Sequence, residues 1–100
     1  MPKHPRRTDR VDKHQLVEVK IYREGVEYRI PSQMMDLSAL GVGLLHPNKM
    51  EIGEQFSINI VQHDNTHLKL LYSVIYCNPD RHSGKFHVGG EFLCAVPLAA

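Results

Sequence analysis

Residues 17–30 decide the fold, and they read VEVKIYREGVEYRI. Val17, Val19 and Ile21 alternate with charged or polar neighbours, and the same period of two resumes after Gly25. Such alternation places every second side chain on one face of a strand, and a glycine-containing break between two runs is typical of a turn. The segment therefore predicts a β-hairpin with one buried face.

The rest of the chain repeats this pattern in short segments. A strand is predicted from residue 41 to residue 46, and further strands over 56–60, 68–77 and 85–94, with turn residues between them. No window of useful length shows the period of a helix. Six or seven short strands of this kind predict an all-β fold. A closed or nearly closed antiparallel barrel is expected, because closure leaves no exposed sheet edge.

Composition and charge limit the classes of protein to which this chain can belong. The 100 residues are 42% hydrophobic and 23% charged, and the net charge is +1. This balance fits one soluble globular domain. So small a net charge argues against a nucleic-acid-binding protein, which would carry a broad basic face. No apolar run approaches the ~18 residues of a membrane span, and no signal peptide is evident, so we expect a cytoplasmic protein without membrane insertion.

The N-terminal segment differs from the rest of the chain. Residues 1–14 contain two prolines, five basic side chains and almost no apolar content. The basic residues are Lys3, Arg6, Arg7, Arg10 and Lys13. A segment of this composition cannot bury a face against a core. We therefore predict two parts, a flexible basic arm over residues 1–13 and a β-barrel over residues 14–100.

Two short segments carry side chains that suit an anionic, guanine-bearing ligand. Residues 6–10 read RRTDR and residues 36–41 read DLSALG. In an extended arm, Arg6 and Arg10 stand up to about 13–14 Å apart, so they would address opposite ends of a dinucleotide-sized ligand. The planar guanidinium donates to two acceptors at once, either phosphate oxygens or the O6/N7 edge of guanine.

The second segment supplies complementary groups. The Asp36 carboxylate accepts hydrogen bonds from guanine N1–H and N2–H₂. Ser38 bonds either to a phosphate or to its own backbone in a turn, and Gly41 lets the backbone approach a ligand closely. Alone, a basic arm is usually solvated and Asp-x-Ser before a glycine is an ordinary turn. Together, in this order and beside a barrel-like pattern, the two segments are much more specific evidence for a site that binds an anionic, guanine-bearing ligand.

On these residues the chain resembles the bacterial PilZ domain family, whose hallmarks are an RxxxR motif and a later [D/N]xSxxG motif. Residues 6–10 match the first motif and residues 36–41 match the second. Residues 72–77, followed by 86–92, resemble the family's closing hairpin. The resemblance covers about residues 5–96 and implies a six-stranded antiparallel PilZ barrel that binds cyclic di-GMP.

The resemblance also implies roles for individual residues. Arg6 and Arg10 would contact the guanines and phosphates, with Arg7 as an additional contact. Asp36 and Ser38 would hold the other side of the ligand, and Gly41 would shape the turn; these six positions are the predicted site. Pro5 stands where many family members carry a further arginine, so one ligand molecule and a stacked pair both stay open.

The implied function is a receptor without catalytic activity and without a bound cofactor. Cyclic di-GMP would order the arginine arm over the barrel, and the new surface would signal to a downstream effector protein. Two alternatives stay open. One is a PilZ-like adaptor of pilus or flagellar machinery that binds only protein, and the other is an unrelated small barrel that binds nucleic acid through its arm.

Three further features of the sequence resemble functional motifs but are explained by structure alone. Residues 89–92 spell GGEF, the signature of diguanylate cyclases, but they lie within a strand pattern in a chain far shorter than a cyclase domain. His63 and His67 flank a turn and no cysteine-rich partner motif follows, so we expect no metal site. Cys77 and Cys94 form no CxxC pair, and both are predicted to be small core residues, while a disulfide between them stays open as an alternative.

Overall fold

The period-two pattern corresponds to six strands in the structure, a computed structural model that describes residues 15–98. The strands are β1 (Gln15–Arg23), β2 (Val26–Leu37), β3 (Gly41–His46), β4 (Gln55–Val61), β5 (His67–Pro79) and β6 (Phe86–Leu98). Neighbouring strands are antiparallel, and the sheet closes in the order β1-β2-β3-β6-β5-β4. The predicted barrel is confirmed, with six strands. Within the described range there is no helix, and so none that is long and apolar enough to cross a membrane.

The hairpin predicted from residues 17–30 is formed by β1 and β2. Its turn residues, Glu24 and Gly25, both have positive φ angles, of 53° and 79°. Two positive φ angles in a two-residue loop give the turn a twist that matches the twist of the flanking strands. The pairing runs from the turn to Gln15, which lies opposite Met34. The start of β1 is therefore held beside the end of β2.

Every strand contributes side chains to the barrel interior. The buried core consists of Val19, Ile21, Met34, Val42, Leu44, Met50, Phe56, Ile58, Leu70, Tyr72, Val74 and Val88. Phe56 stacks on Tyr72 with ring centroids 5.4 Å apart, and Phe92 meets Tyr72 edge-on at 5.9 Å. Burial raises the pKa of Tyr72 to about 12. These three rings pack against one another on the inner side of the sheet.

Two polar side chains lie inside the barrel and contact each other. Ser32 and His46 are buried, and a hydrogen bond joins Ser32 Oγ to His46 Nδ1. His46 Nε2 has no hydrogen-bond partner among residues 15–98. Burial and, to a smaller extent, the charge of Arg23 lower the pKa of His46 to about 4. The imidazole is therefore neutral at pH 7.

The prediction that both cysteines are core residues is wrong for Cys94. Cys77 packs against the core, whereas Cys94 is exposed, and both thiols are free. The cause is a register shift, because Tyr72 pairs with Phe92 while Leu71 pairs with Cys94. This irregularity leaves Leu93 without a partner and reverses the facing of the residues that follow it.

Candidate functional site

A groove of about 660 Å³ runs across the outer face of the barrel where β3 lies against β6. Its walls come from the end of β2, the β2–β3 turn and the middle of β5. Three residues of the predicted site, Asp36, Ser38 and Gly41, all line this groove. The structure therefore brings the second sequence segment together around one concave surface.

The other three residues of the predicted site, Arg6, Arg7 and Arg10, lie outside the described residues. The predicted boundary between residues 13 and 14 also lies there. The described chain begins at Gln15, which is held opposite Met34, two positions before Asp36 in the sequence. A chain spans at most ~3.6 Å per residue, so Arg10 lies within about 18 Å of Gln15. Covalent geometry therefore permits the arm to reach the groove.

A β-bulge turns the Asp36 side chain toward the groove. Met34 pairs with Leu44 and Asp36 pairs with Gly43, so Met35 is left without a partner. Met34 belongs to the core, and strict alternation would send Asp36 inward as well. The extra residue reverses that facing, as bulges do beside many functional sites. The carboxylate consequently lies over Gly43, where an added Cβ would be 3.0 Å from Asp36 Oδ1.

The turn after β2 is held by the Ser38 side chain and backbone. The Ser38 backbone N–H donates to the Gly41 carbonyl at 3.0 Å, and the Leu40 N–H donates to Ser38 Oγ at 3.2 Å. The hydroxyl acts as an acceptor in this turn, and its own hydrogen can donate to a ligand. Gly41 is needed for packing, because an added Cβ would be 2.2 Å from the Gly90 carbonyl oxygen.

A second bulge contributes an aromatic residue that the sequence-based site lacks. Val74 pairs with Gly90 and Tyr76 pairs with Gly89, so Ile75 has no partner. Val74 is buried, whereas Tyr76 is 44% exposed and lines the groove. Its ring lies against Gly89, where an added Cβ would be 2.1 Å from Tyr76 Cε2. An aromatic ring fixed at the wall of a groove offers a face on which a base can stack.

The charged residues that line the described groove are acidic. Asp36 and Glu91 contribute carboxylates, and no lysine or arginine of residues 15–98 lines the groove. Glu91 pairs with Gly41 across β3 and β6, so it faces the same side of the sheet. A phosphate-bearing ligand in this groove would need cations. Within the sequence, basic side chains are concentrated in residues 1–13, which contain five of them.

Other titratable clusters have structural explanations. In the β5–β6 turn, Asp80 accepts a hydrogen bond from the Ser83 hydroxyl at 2.7 Å and lies 2.9 Å from His87 Nε2. The bonds from Ser83 and then His87 lower the pKa of Asp80. Both partners therefore bind the carboxylate rather than each other, which is not the arrangement of a nucleophile and its base. Over residues 15–98, no group of three His, Cys, Asp or Glu side chains is arranged to hold a metal ion.

Comparison with protein families identifies the class of domain. A sequence model described as the PilZ domain matches residues 4–96. The chain belongs to the PilZ domain family. The matched region contains both segments of the predicted site, residues 6–10 and 36–41. PilZ domains are binding and adaptor domains, and the match indicates no catalytic family. No curated protein sequence matches the chain.

Comparison with solved structures supports the fold. The PilZ chain is similar to the structure of the Bacillus subtilis Inhibitor of motility (MotI/DgrA), with a TM-score of 0.65 and 19% sequence identity. The match covers 94% of this chain and 45% of the other, so the chain spans less than half of that protein's length. At this identity the likeness shows the fold alone. Residues 89–92, which spell GGEF, lie inside β6 between β3 and β5, as the strand pattern predicted.

Proposed function

We propose that this PilZ domain is a cyclic di-GMP receptor that holds the ligand between its N-terminal arm and the groove, and that signals to a protein partner. The observation that carries the proposal is the outward-facing Asp36 carboxylate beside a groove surface of glycine backbone, formed by Gly41, Gly43 and Gly89. Ligand sites commonly have volumes of ~300–1,000 Å³, and the groove of about 660 Å³ lies within that range.

The described residues supply groups that suit guanine and phosphate. The Asp36 carboxylate accepts from guanine N1–H and N2–H₂, and the Ser38 hydroxyl donates to a phosphate oxygen. The Tyr76 ring provides a stacking surface, which contributes roughly 1–3 kcal/mol per base in other nucleotide-binding sites. One ligand can engage all three groups because they line a single groove.

The arm would supply the missing positive charge. Arg6 and Arg10 would contact the guanines and phosphates, with Arg7 as an additional contact. Ordering about five arm residues costs roughly 5–10 kcal/mol of backbone entropy. Each hydrogen bond to a charged group contributes about 1.5–3 kcal/mol, so four to six such bonds offset that cost. The arm is therefore expected to close over the barrel only with ligand, and the loss of one arginine should nearly abolish binding.

The ordered arm would create a surface that an effector protein recognises. Exposed apolar side chains at the groove rim would add to it, since Leu40 is 80% exposed and Ile75 is 54% exposed. The same rim favours a second candidate function, a protein-binding adaptor of pilus or flagellar machinery that does not bind cyclic di-GMP. The fold's likeness to a Bacillus subtilis motility inhibitor makes a motility process a reasonable first place to look for the partner.

Isothermal titration calorimetry with cyclic di-GMP tests the proposal. Wild-type protein should bind with micromolar or tighter affinity. Arg10→Ala should weaken binding by roughly 100-fold or more if two charged hydrogen bonds are lost. Arg81→Ala, which removes an exposed arginine that does not line the groove, should have no effect.

Two outcomes would redirect the proposal. Flat heats from folded wild-type protein would favour the protein-only adaptor, and unchanged affinity in both Arg6→Ala and Arg10→Ala would exclude the arginine clamp. A nucleic-acid function would appear instead as oligonucleotide binding with a steep salt dependence, so titration with an oligonucleotide at two salt concentrations separates that alternative.

A further inference from the structure

A second groove, of about 260 Å³, lies on the outer face of β1, β4 and β5. Among residues 15–98, it shares no lining residue with the first groove. Two lysines line it, Lys20 on β1 and Lys69 on β5. Lys20 pairs directly with Ser57, and Lys69 pairs with Asn59, the next residue of β4 on the same face. Ser57 therefore lies between the two lysine positions in the sheet.

Ser57 is unusual because its side-chain oxygen is buried without a hydrogen-bond partner among residues 15–98. Its neighbours Phe56 and Ile58 belong to the core, so alternation directs Ser57 toward the outer face, where it lines the groove. Ser57 is nevertheless only 2% exposed, and its Oγ has no hydrogen-bond partner among the described residues. Buried hydroxyls are nearly always hydrogen-bonded, so this oxygen marks a place where a partner is expected.

Two further polar residues of the groove, Glu54 and Tyr22, already have hydrogen-bond partners. Glu54 is the one carboxylate among the described lining residues, and Arg23 donates to both of its oxygens, at 2.5 and 2.9 Å. The Tyr22 hydroxyl donates to Glu27 at 2.6 Å. Glu54 is therefore paired with the cation Arg23, and Glu27 forms an ion pair with Arg29. The groove therefore presents the positive charge of two lysines around an unsatisfied hydroxyl.

We propose that this second groove binds a phosphate group, as inorganic phosphate or a phosphate monoester, through the ammonium groups of Lys20 and Lys69 and the hydroxyl of Ser57. Two cations match the charge of a phosphate dianion, and the serine O–H donates to one of its oxygens. The lysine stems are flexible, so a small movement admits the anion to Ser57. The groove is larger than one phosphate group and leaves room for a small organic substituent.

Site-resolved NMR tests this proposal directly. Amide shifts are followed during titration with inorganic phosphate at constant ionic strength, with chloride as the reference anion. Saturable shifts should concentrate at Lys20, Ser57 and Lys69. Ser57→Ala should weaken binding about tenfold, the size expected for one hydrogen bond to a charged group. The double variant Lys20→Gln/Lys69→Gln should abolish it.

A matched control and a second ligand complete the test. Lys49→Gln removes an exposed lysine outside the groove and should leave the phosphate response unchanged. Shifts spread over many surface lysines, or an unaltered response in the Ser57 and lysine variants, would mean an adventitious ion only and would overturn the proposal. A retained wild-type spectrum in Ser57→Ala verifies that the variant is folded. These titrations contain no cyclic di-GMP, and the two grooves share no lining residue in the described part of the chain, so either result is independent of the proposed receptor function.

The phosphate could belong to a soluble metabolite or to a lipid headgroup. Glycerol 3-phosphate and vesicles containing phosphatidic acid both present a phosphate monoester, the first in soluble form and the second at a membrane surface. A response to either that is lost in Lys20→Gln/Lys69→Gln supports the site and identifies its source. A response to neither, together with no response to inorganic phosphate, overturns it.

Discussion

Gly89→Ala and Gly90→Ala should distinguish the groove's role in ligand binding from the core's role in stability, because these adjacent residues face opposite sides of β6. An added Cβ at Gly89 would be 2.1 Å from Tyr76 Cε2, on the outer face. An added Cβ at Gly90 would be 2.6 Å from Phe56 Cζ and 3.1 Å from Tyr72 Cβ, inside the barrel. Both distances to ring atoms are too short to keep, so in each variant the ring must move.

The two movements differ in what they disturb. Phe56 and Tyr72 are fully buried and stacked, and overpacking of such a core costs about 1–3 kcal/mol. For a domain of this size, that corresponds to a drop in Tm on the order of 5–20 °C. Tyr76 is exposed enough to swing into solvent, so Gly89→Ala should change stability by less than about 1 kcal/mol. Loss of the stacking face should instead weaken cyclic di-GMP binding roughly 5–150-fold.

Thermal unfolding and calorimetric titration of the two variants measure these effects side by side. Tyr76→Phe, which keeps the ring, should bind the ligand like wild type, and Tyr76→Ala should behave like Gly89→Ala. A Gly90→Ala protein as stable as wild type would refute the tight packing inferred between Gly90 and the Phe56 and Tyr72 side chains. Unchanged ligand affinity in Gly89→Ala would refute the role assigned to the Tyr76 ring.

Three further predictions concern single side chains. Asp36→Asn should weaken cyclic di-GMP binding roughly 10–150-fold in calorimetry, because an amide nitrogen replaces an acceptor oxygen; unchanged affinity would exclude the carboxylate as the guanine acceptor. His46 has a folded pKa of about 4 and an ordinary value of 6.5, so the unfolded state binds its proton more tightly. The contribution of neutral His46 to the free energy of unfolding should therefore be fully present above about pH 6.5 and fall by up to about 3 kcal/mol toward pH 4; urea unfolding at pH 7 and pH 4.5 measures the loss, and the difference between the two pH values should be smaller in His46→Gln by that contribution. Arg23→Ala breaks a half-exposed ion pair with Glu54 and should lower the free energy of unfolding by about 0.5–1 kcal/mol; a loss several times larger would mean that the pair is effectively buried.

Alternation in the sequence predicted the strands well because it directly reflects burial. The hairpin of β1 and β2 follows from residues 17–30, and the strand predicted at 41–46 has the bounds of β3. β6 extends further than predicted, to Leu98. Its last residues pair with β5; for example, Pro97 lies opposite Leu68. That pairing depends on a partner strand, and composition alone does not reveal it.

The site was predictable only in part, because two of its residues owe their direction to bulges. The motif identified Asp36 and Ser38, but period-two alternation from Met34 would have buried Asp36. The same alternation from Val74 would have buried Tyr76. One unpaired residue in each strand reverses the facing, and register between distant strands then places Gly89 beneath the Tyr76 ring. These features depend on barrel closure, which local sequence does not encode.

The most direct test of the central claim is an NMR titration of the protein with cyclic di-GMP, read residue by residue. The account predicts saturable shifts concentrated at residues 36–43 and 89–91, with the amides of Lys20, Ser57 and Lys69 unmoved. No shifts in the folded protein, or shifts confined to the face of β1, β4 and β5, would contradict it.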